Sequence, residues 1–244
     1  MKLKKLNEIR LHTMISIYGP AGSGKTSLVN SMTGSVLIID TDRGLASIDN
    51  TRDDIAVAEC SSFADVMEAL GYAEEFDNIV IDHMTNVQEL CYKQVMTQQN
   101  VKKMQIQHYG EASQLLKGII DTLVDLSYEG KQVLVLSQEK SINIEDSISE
   151  DVPQRIVPNL MESVYRYLLA SSRICGHSER VTKKKFVKGE KKTKDVYQIR
   201  VAGNPIYDLK VTRKQGVKIP DVIEKPTVPK LVQLVFGENE EEKE

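Results

Sequence analysis

Eight residues near the N-terminus, Gly19-Pro-Ala-Gly-Ser-Gly-Lys-Thr26, constrain this chain more than any others. They match G-x-x-x-x-G-K-[ST], a loop that wraps phosphate. Gly19, Gly22 and Gly24 let the backbone turn its N–H groups inward around an anion. Lys25 is placed to reach β- and γ-phosphate oxygens, and the Thr26 hydroxyl to ligate Mg²⁺. The residues expected around the nucleotide are Gly19, Pro20, Ala21, Gly22, Ser23, Gly24, Lys25, Thr26 and Ser27. The context fits. Met14-Ile-Ser-Ile-Tyr18 reads as a strand leading into the loop, and a short helix from about Lys25 to Met32 points its positive end at the anion.

The rest of the chain alternates apolar strands with amphipathic helices. Val36-Leu-Ile-Ile-Asp40, Ile79-Val-Ile-Asp82 and Gln132-Val-Leu-Val-Leu-Ser137 are continuous apolar runs, as strands buried on both faces require. Helical spacing predicts helices over Phe63–Phe76, Thr85–Gln99, Tyr109–Tyr128 and Asn159–Ala170. Strands alternating with helices imply βαβ units and a mostly parallel sheet, an α/β fold. Arg173–Val181 and Val196–Val201 read as two strands of a hairpin flanking a lysine-rich run. Residues 139–151 carry five acids and one lysine without periodicity, which predicts a mobile loop that changes order with nucleotide. Pro220, Pro226 and Pro229 predict a loosely ordered connection, then a short helix and a disordered acidic tail, Glu238–Glu244.

Acids at strand ends supply the remaining chemistry. Asp82 ends an apolar strand, where it either holds Mg²⁺ or caps the next helix. Hydrolysis also needs a group that orients or deprotonates water. Many P-loop ATPases place a Glu directly after that Asp; here His83 stands there, so the base must come from elsewhere. Ligands bind beyond the carboxyl ends of parallel strands, which favours Asp42, with Asp40 second. Both also suit a turn before Arg43-Gly44. Gln138, at the end of a third strand on the same edge, is placed either to sense the γ-phosphate or to cap its strand.

Composition narrows the setting. Apolar residues make up 41% and charged residues 27%, which excludes collagen, a coiled coil and wholesale disorder. Cys60, Cys91 and Cys175 form no CxxC pair, so small buried hydrophobes in a reducing cytoplasm are expected. No apolar run is long enough to span a membrane, no apolar core follows the basic Met1–Arg10, and no membrane partner is expected. The chain's net charge is −3, but residues 180–194 hold eight basic residues and one acid, a net +7, leaving −10 elsewhere. That segregation points to a polyanion met by Lys183, Lys184, Lys185, Lys188, Lys191, Lys192 and Lys194, with Phe186 placed to stack on a base. A solvated hairpin tip is the plainer alternative.

Taken together, the segments Ile17-Tyr-Gly-Pro-Ala-Gly-Ser-Gly-Lys-Thr26, Leu37-Ile-Ile-Asp-Thr-Asp-Arg-Gly44, Ile79-Val-Ile-Asp82, Tyr109-Gly110 and Val135-Leu-Ser-Gln138 resemble phage-encoded RecA-like P-loop ATPases of the AAA-domain type. Some of those proteins act as single-strand annealing proteins or recombinases. The resemblance spans roughly Met14 to Pro220. It implies ATP and Mg²⁺ as cofactors, single-stranded DNA as a partner, a cytoplasmic location and a homo-oligomeric ring or filament. A single-strand binding protein is a further partner it suggests. It makes Asp42, one carbon shorter than the family's glutamate, the counterpart of the catalytic base. It makes Gln138 the link between nucleotide state and a DNA-binding loop. Lys210, Arg213 and Lys214 correspond to basic residues that complete a neighbour's site.

The expected organisation is a lead segment (1–13), a RecA-like core (14–220) including the hairpin (173–201), and an extension with the acidic tail (221–244). Two alternatives are a nucleotide-dependent switch or scaffold and a P-loop kinase for small molecules. The kinase is disfavoured because the chain offers lysines in a hairpin where a lid of clustered arginines is expected. An Asn-Lys-x-Asp guanine-reading motif is absent.

Overall fold

The computed structural model describes residues 12–143, 154–187, 190–213 and 215–237. Residues 144–151 of the expected acidic loop 139–151, the tail 238–244 and most of the lead segment lie outside the described residues. The four apolar runs form strands β1 (Thr13–Tyr18), β2 (Val36–Asp40), β4 (Asn78–Asp82) and β5 (Gln132–Ser137). A fifth strand, β3 (Ile55–Glu59), pairs with β2 at the sheet edge. The nine-stranded sheet runs β11-β9-β8-β1-β5-β4-β2-β3, with β10 on β8; here β8 is Ile174–Val187, β9 Glu190–Arg200, β10 Lys210–Val211 and β11 Val222–Glu224. All pairings from β8 through β1 to β3 are parallel, and those involving β9, β10 and β11 are antiparallel. The fold is α/β, mostly parallel and helix-flanked, with an antiparallel C-terminal hairpin.

The central strands are apolar throughout because both faces are covered. Met14, Ile39, Ile79, Ile81, Val133 and Val135 face one core. Four helices close it: α1 (Phe63–Gly71), α2 (Met84–Gln98), α3 (Ile106–Tyr128) and α4 (Glu162–Ser171). Ile15, Ile17, Ile38, Val80, Leu134 and Leu136 face the other core. Little covers that side: Leu28 and Val29 of a 3-10 turn, and α5 (Val228–Phe236). α5 buries Val228, Leu231, Leu234 and Val235 there, each worth about 1.5–3 kcal/mol. Among the described residues no helix is long and apolar enough to cross a membrane. The three cysteines are buried free thiols whose pKa values burial raises, to about 11 for Cys60 and about 12 for Cys91 and Cys175.

Several expectations change. The segment after the phosphate loop is a six-residue 3-10 helix, Thr26–Ser31, and the helix from Phe63 ends at Gly71. Residues 139–143 are no loop. They form β6, which pairs antiparallel with β7 (Gln154–Pro158) and is anchored by Glu139 Oε2, 2.6 Å from His177 Nε2. The hairpin strands do not stop at Val181; they continue through the lysine run to Val187 and Glu190. The C-terminal prolines punctuate order and do not loosen it. The Thr227 side chain accepts from Lys230 N and Pro229 sits in the first turn of α5, a position suited to a residue without an N–H. β11 adds to β9, so residues 222–236 pack as part of the same body.

Candidate nucleotide site

The parallel register brings four strand ends to one edge. Tyr18 lies opposite Ser137, Ile81 opposite Val135, and Asp40 opposite Asp82. Each strand then delivers a segment: Gly19–Thr26, Thr41–Gly44, His83, and Gln138. Residues far apart in sequence converge because the strands that carry them are neighbours.

The loop is held by β8 and β9 as well as by its own sequence. A Cβ at Gly19 would sit 2.3 Å from the Ser178 carbonyl oxygen, so only glycine allows this approach. At Gly24, with φ +88°, a Cβ would meet the Tyr197 ring at 2.9 Å. The Ser178 hydroxyl donates to Ser23 O at 2.8 Å. Pro20, Ala21 and Gly22 are exposed at the tip, and Ser27 faces solvent beyond it.

Lys25 is 8% exposed, and its Nζ donates to Gly19 O and Pro20 O, both at 2.8 Å. Burial pushes its pKa below the ordinary lysine value, opposed by Asp82, Glu139 and Asp42. Thr26 Oγ1 donates to Asp82 Oδ2 at 2.6 Å. Burial pushes Asp82 up to about 6; the Thr26 hydrogen bond opposes the shift, and the nearby Asp42 and Asp40 add to it. Lys25 also opposes the shift, and the Thr26 hydroxyl lies against the carboxylate. That hard-oxygen pair fits Mg²⁺, which is typically held by one or two protein oxygens plus substrate phosphates and water. The N-cap of α2 is His83, whose Nδ1 accepts from Asn86 N at 3.2 Å, so Asp82 is not needed for that task.

If Asp82 holds Mg²⁺ it must be ionised, and Mg²⁺ affinity should then fall as pH drops through about 6, approaching tenfold per unit below it. Calorimetric Mg²⁺ titrations with ADP at pH 5 and pH 7 check this. A pH-independent affinity would remove Asp82 from the metal site.

The two candidate bases separate. Asp40 Oδ1 accepts from Asp42 N at 3.1 Å and Arg43 N at 2.9 Å, the work of a turn acid, and burial raises its pKa. Asp42 Oδ1 accepts from Gly44 N at 3.0 Å, but its Oδ2 faces inward, 3.3 Å from His83 Nε2. The Gln138 side chain meets the same nitrogen at 3.1 Å, and its backbone N–H donates to Thr85 Oγ1. His83 is thus the residue set aside in the sequence that the structure puts at the centre. Burial lowers its pKa, against the pull of Asp42.

The remaining candidates are distributed. Lys210 Nζ donates to Leu169 O at 3.0 Å and also to Ala170 O, capping the end of α4 where a cation is favoured. Arg213 Nη1 donates to Val217 O at 2.7 Å. Both stand away from this chain's phosphate loop, and Lys214 and Lys188 lie outside the described residues. Lys183 pairs with Glu224, and Arg180 with Asp195. Lys184 is exposed. The register sets Lys183 opposite Lys194 and Lys185 opposite Lys192. Lys194 also lines a cleft of about 330 Å³ beside the loop, together with Gly24, Ser27, Val196, Tyr197 and Pro226. No motif in the sequence marks that cleft; a lone tyrosine at the hairpin base carries no signal.

Residues 12–198 match the family described as "AAA domain". No curated protein matches the sequence. Among solved structures, the chain is similar to the flagellar accessory protein FlaH from Methanocaldococcus jannaschii, with 13% identity and a TM-score of 0.44 over 77% of this chain and 78% of that one. It is also similar to an ATPase from the type III secretion system of pathogenic bacteria, with 9% identity and a TM-score of 0.39 over 68% of this chain and 52% of that one.

Proposed function

The chain belongs to the AAA-domain family of nucleotide-binding ATPases, and we propose that it hydrolyses ATP with Mg²⁺ while acting on single-stranded DNA, in recombination, annealing or replication. The observation that carries the nucleotide half is the convergence of Lys25, the Thr26–Asp82 pair and Asp42 on one sheet edge. Lys25 exchanges the loop carbonyls for phosphate oxygens. Thr26 and Asp82 would hold Mg²⁺, which when bound would supply positive charge beside the phosphates. Asp42 accepts a proton from the attacking water, and Gln138 reports the phosphate's presence. The base and ribose occupy the cleft against Tyr197 and Pro226.

The DNA half rests on the hairpin. Like charges directly opposite across an antiparallel pair destabilise it. The backbone register sets Lys183 opposite Lys194, and Glu224 offsets the Lys183 charge in part, leaving a concentration of lysines along these strands that a polyanion would neutralise. The same two strands supply Ser178 and Tyr197 to the phosphate loop, so nucleotide and DNA contact one element. We extend the proposal to a homo-oligomer, ring or filament, in which a neighbour's Arg213 approaches the phosphates; Lys210 is tied to its own helix. A single-strand binding protein that delivers the strand fits the same role.

The test is ATP turnover with and without single-stranded DNA. Stimulation of several-fold or more is expected. Turnover indifferent to DNA at every oligonucleotide length would reject the DNA half and leave a nucleotide-dependent switch or a small-molecule kinase.

A further inference from the structure

We propose that His83 is a positioning residue for hydrolysis, holding the Asp42 carboxylate and the Gln138 amide through one shared proton. This rests on the reading of Asp42 as the base, and the test below separates the two.

His83 follows Asp82 at the end of β4 and is 3% exposed. Its Nδ1 accepts the Asn86 backbone N–H. A ring nitrogen that accepts carries no proton, so the neutral imidazole carries its proton on Nε2. That Nε2 lies 3.3 Å from Asp42 Oδ2 and 3.1 Å from Gln138 Nε2. The carboxylate only accepts. Two N–H groups cannot pair, so a half-turn of the Gln138 amide, which exchanges its nitrogen for its oxygen at the same place, is what the pairing requires. One proton therefore faces two acceptors, one from the turn after β2 and one from the end of β5.

Asp42 needs such a partner. It sits in a surface turn beside Arg43, whose φ is +58°, and its other oxygen bonds only within that turn, to Gly44 N. The His83 ring, at the end of β4, supplies an N–H that ties the carboxylate to the body of the sheet, whereas the neighbouring Asp40 side chain at the end of β2 is a second acid beside it. A base displaced by about 1 Å loses on the order of 10²-fold in rate. The shared proton also links sensor and base. When the Gln138 amide turns away toward a bound phosphate, the Nε2–H stays on the ring and its hydrogen bond goes wholly to Asp42, which remains an ionised base held in place.

Two substitutions separate positioning from capping. His83→Asn keeps an acceptor at the cap, where Asn is among the best residues, but falls short of Asp42. His83→Gln extends an amide to the Nε2 position and gives up the cap. For His83→Asn, a kcat lower by about 10- to 100-fold is expected, with KM for ATP and Tm close to wild type. For His83→Gln, the expected result is a Tm lower by a few degrees with kcat within about threefold of wild type. An active His83→Asn would overturn the proposal, and so would equal loss of kcat in both variants. Asp42→Asn is measured alongside. Its inactivity beside an active His83→Asn sinks the positioning role alone, whereas an active Asp42→Asn sinks the base assignment itself.

Discussion

Lys25→Ala should lose about 10³-fold or more of ATP turnover. The cation is nearly enclosed and is the positive group that Asp82, Glu139 and Asp42 all face. Its removal costs more than one favourable contact with phosphate. Three carboxylates are left to confront an anionic substrate, and the desolvated loop no longer offers a charge that strengthens as the transition state forms. Two carbonyls, Gly19 O and Pro20 O, also lose their donor. Steady-state turnover beside a thermal melt checks this, because the loop packs on β8 and a collapsed loop would show as a lower Tm. Turnover within threefold of wild type in a folded variant would sink the site assignment.

The second large effect concerns DNA. Replacing Lys183, Lys184 and Lys185 with glutamine should weaken single-strand binding by about 10²-fold near 0.1 M salt. The slope of log affinity against log salt should become shallower by about 1.5–2, since each phosphate contact contributes about 0.7. The range falls below the full three contacts because Glu224 already neutralises part of the Lys183 charge. Fluorescence anisotropy across a salt series measures both quantities. An unchanged slope would remove the hairpin from the DNA interface whatever the change in affinity, since slope counts displaced ions and affinity alone does not.

The buried strands were legible because burial on both faces leaves an unbroken apolar run, as at Val36–Asp40 and Gln132–Ser137. β3 and β7 were not: β3 offers a short run of four in which two residues are alanine and none is fully buried, and β7 has only Ile156 and Val157 between polar residues and a proline. β6 reads as an acidic loop because its order comes from elsewhere: from pairing with β7, and from His177 binding Glu139. In the site, glycine spacing and the strand-ending acids name the loop and Asp82. Tyr197 and the role of His83 were illegible for one shared reason. Each acts through a neighbour supplied by sheet order, Gly24 for one and Asp42 with Gln138 for the other. Sequence distance carries no trace of such neighbours.

The packing of Gly19 and Gly24 against Ser178 and Tyr197 has a mechanical consequence. The base of the hairpin serves as the wall of the phosphate cradle and cannot tilt without prising the cradle open. Any swing of the lysine-bearing arm must therefore pivot farther out, beyond the latch where Asp195 takes both Arg180 and the Thr182 hydroxyl. Inside that latch the two strands are masonry for the loop they support.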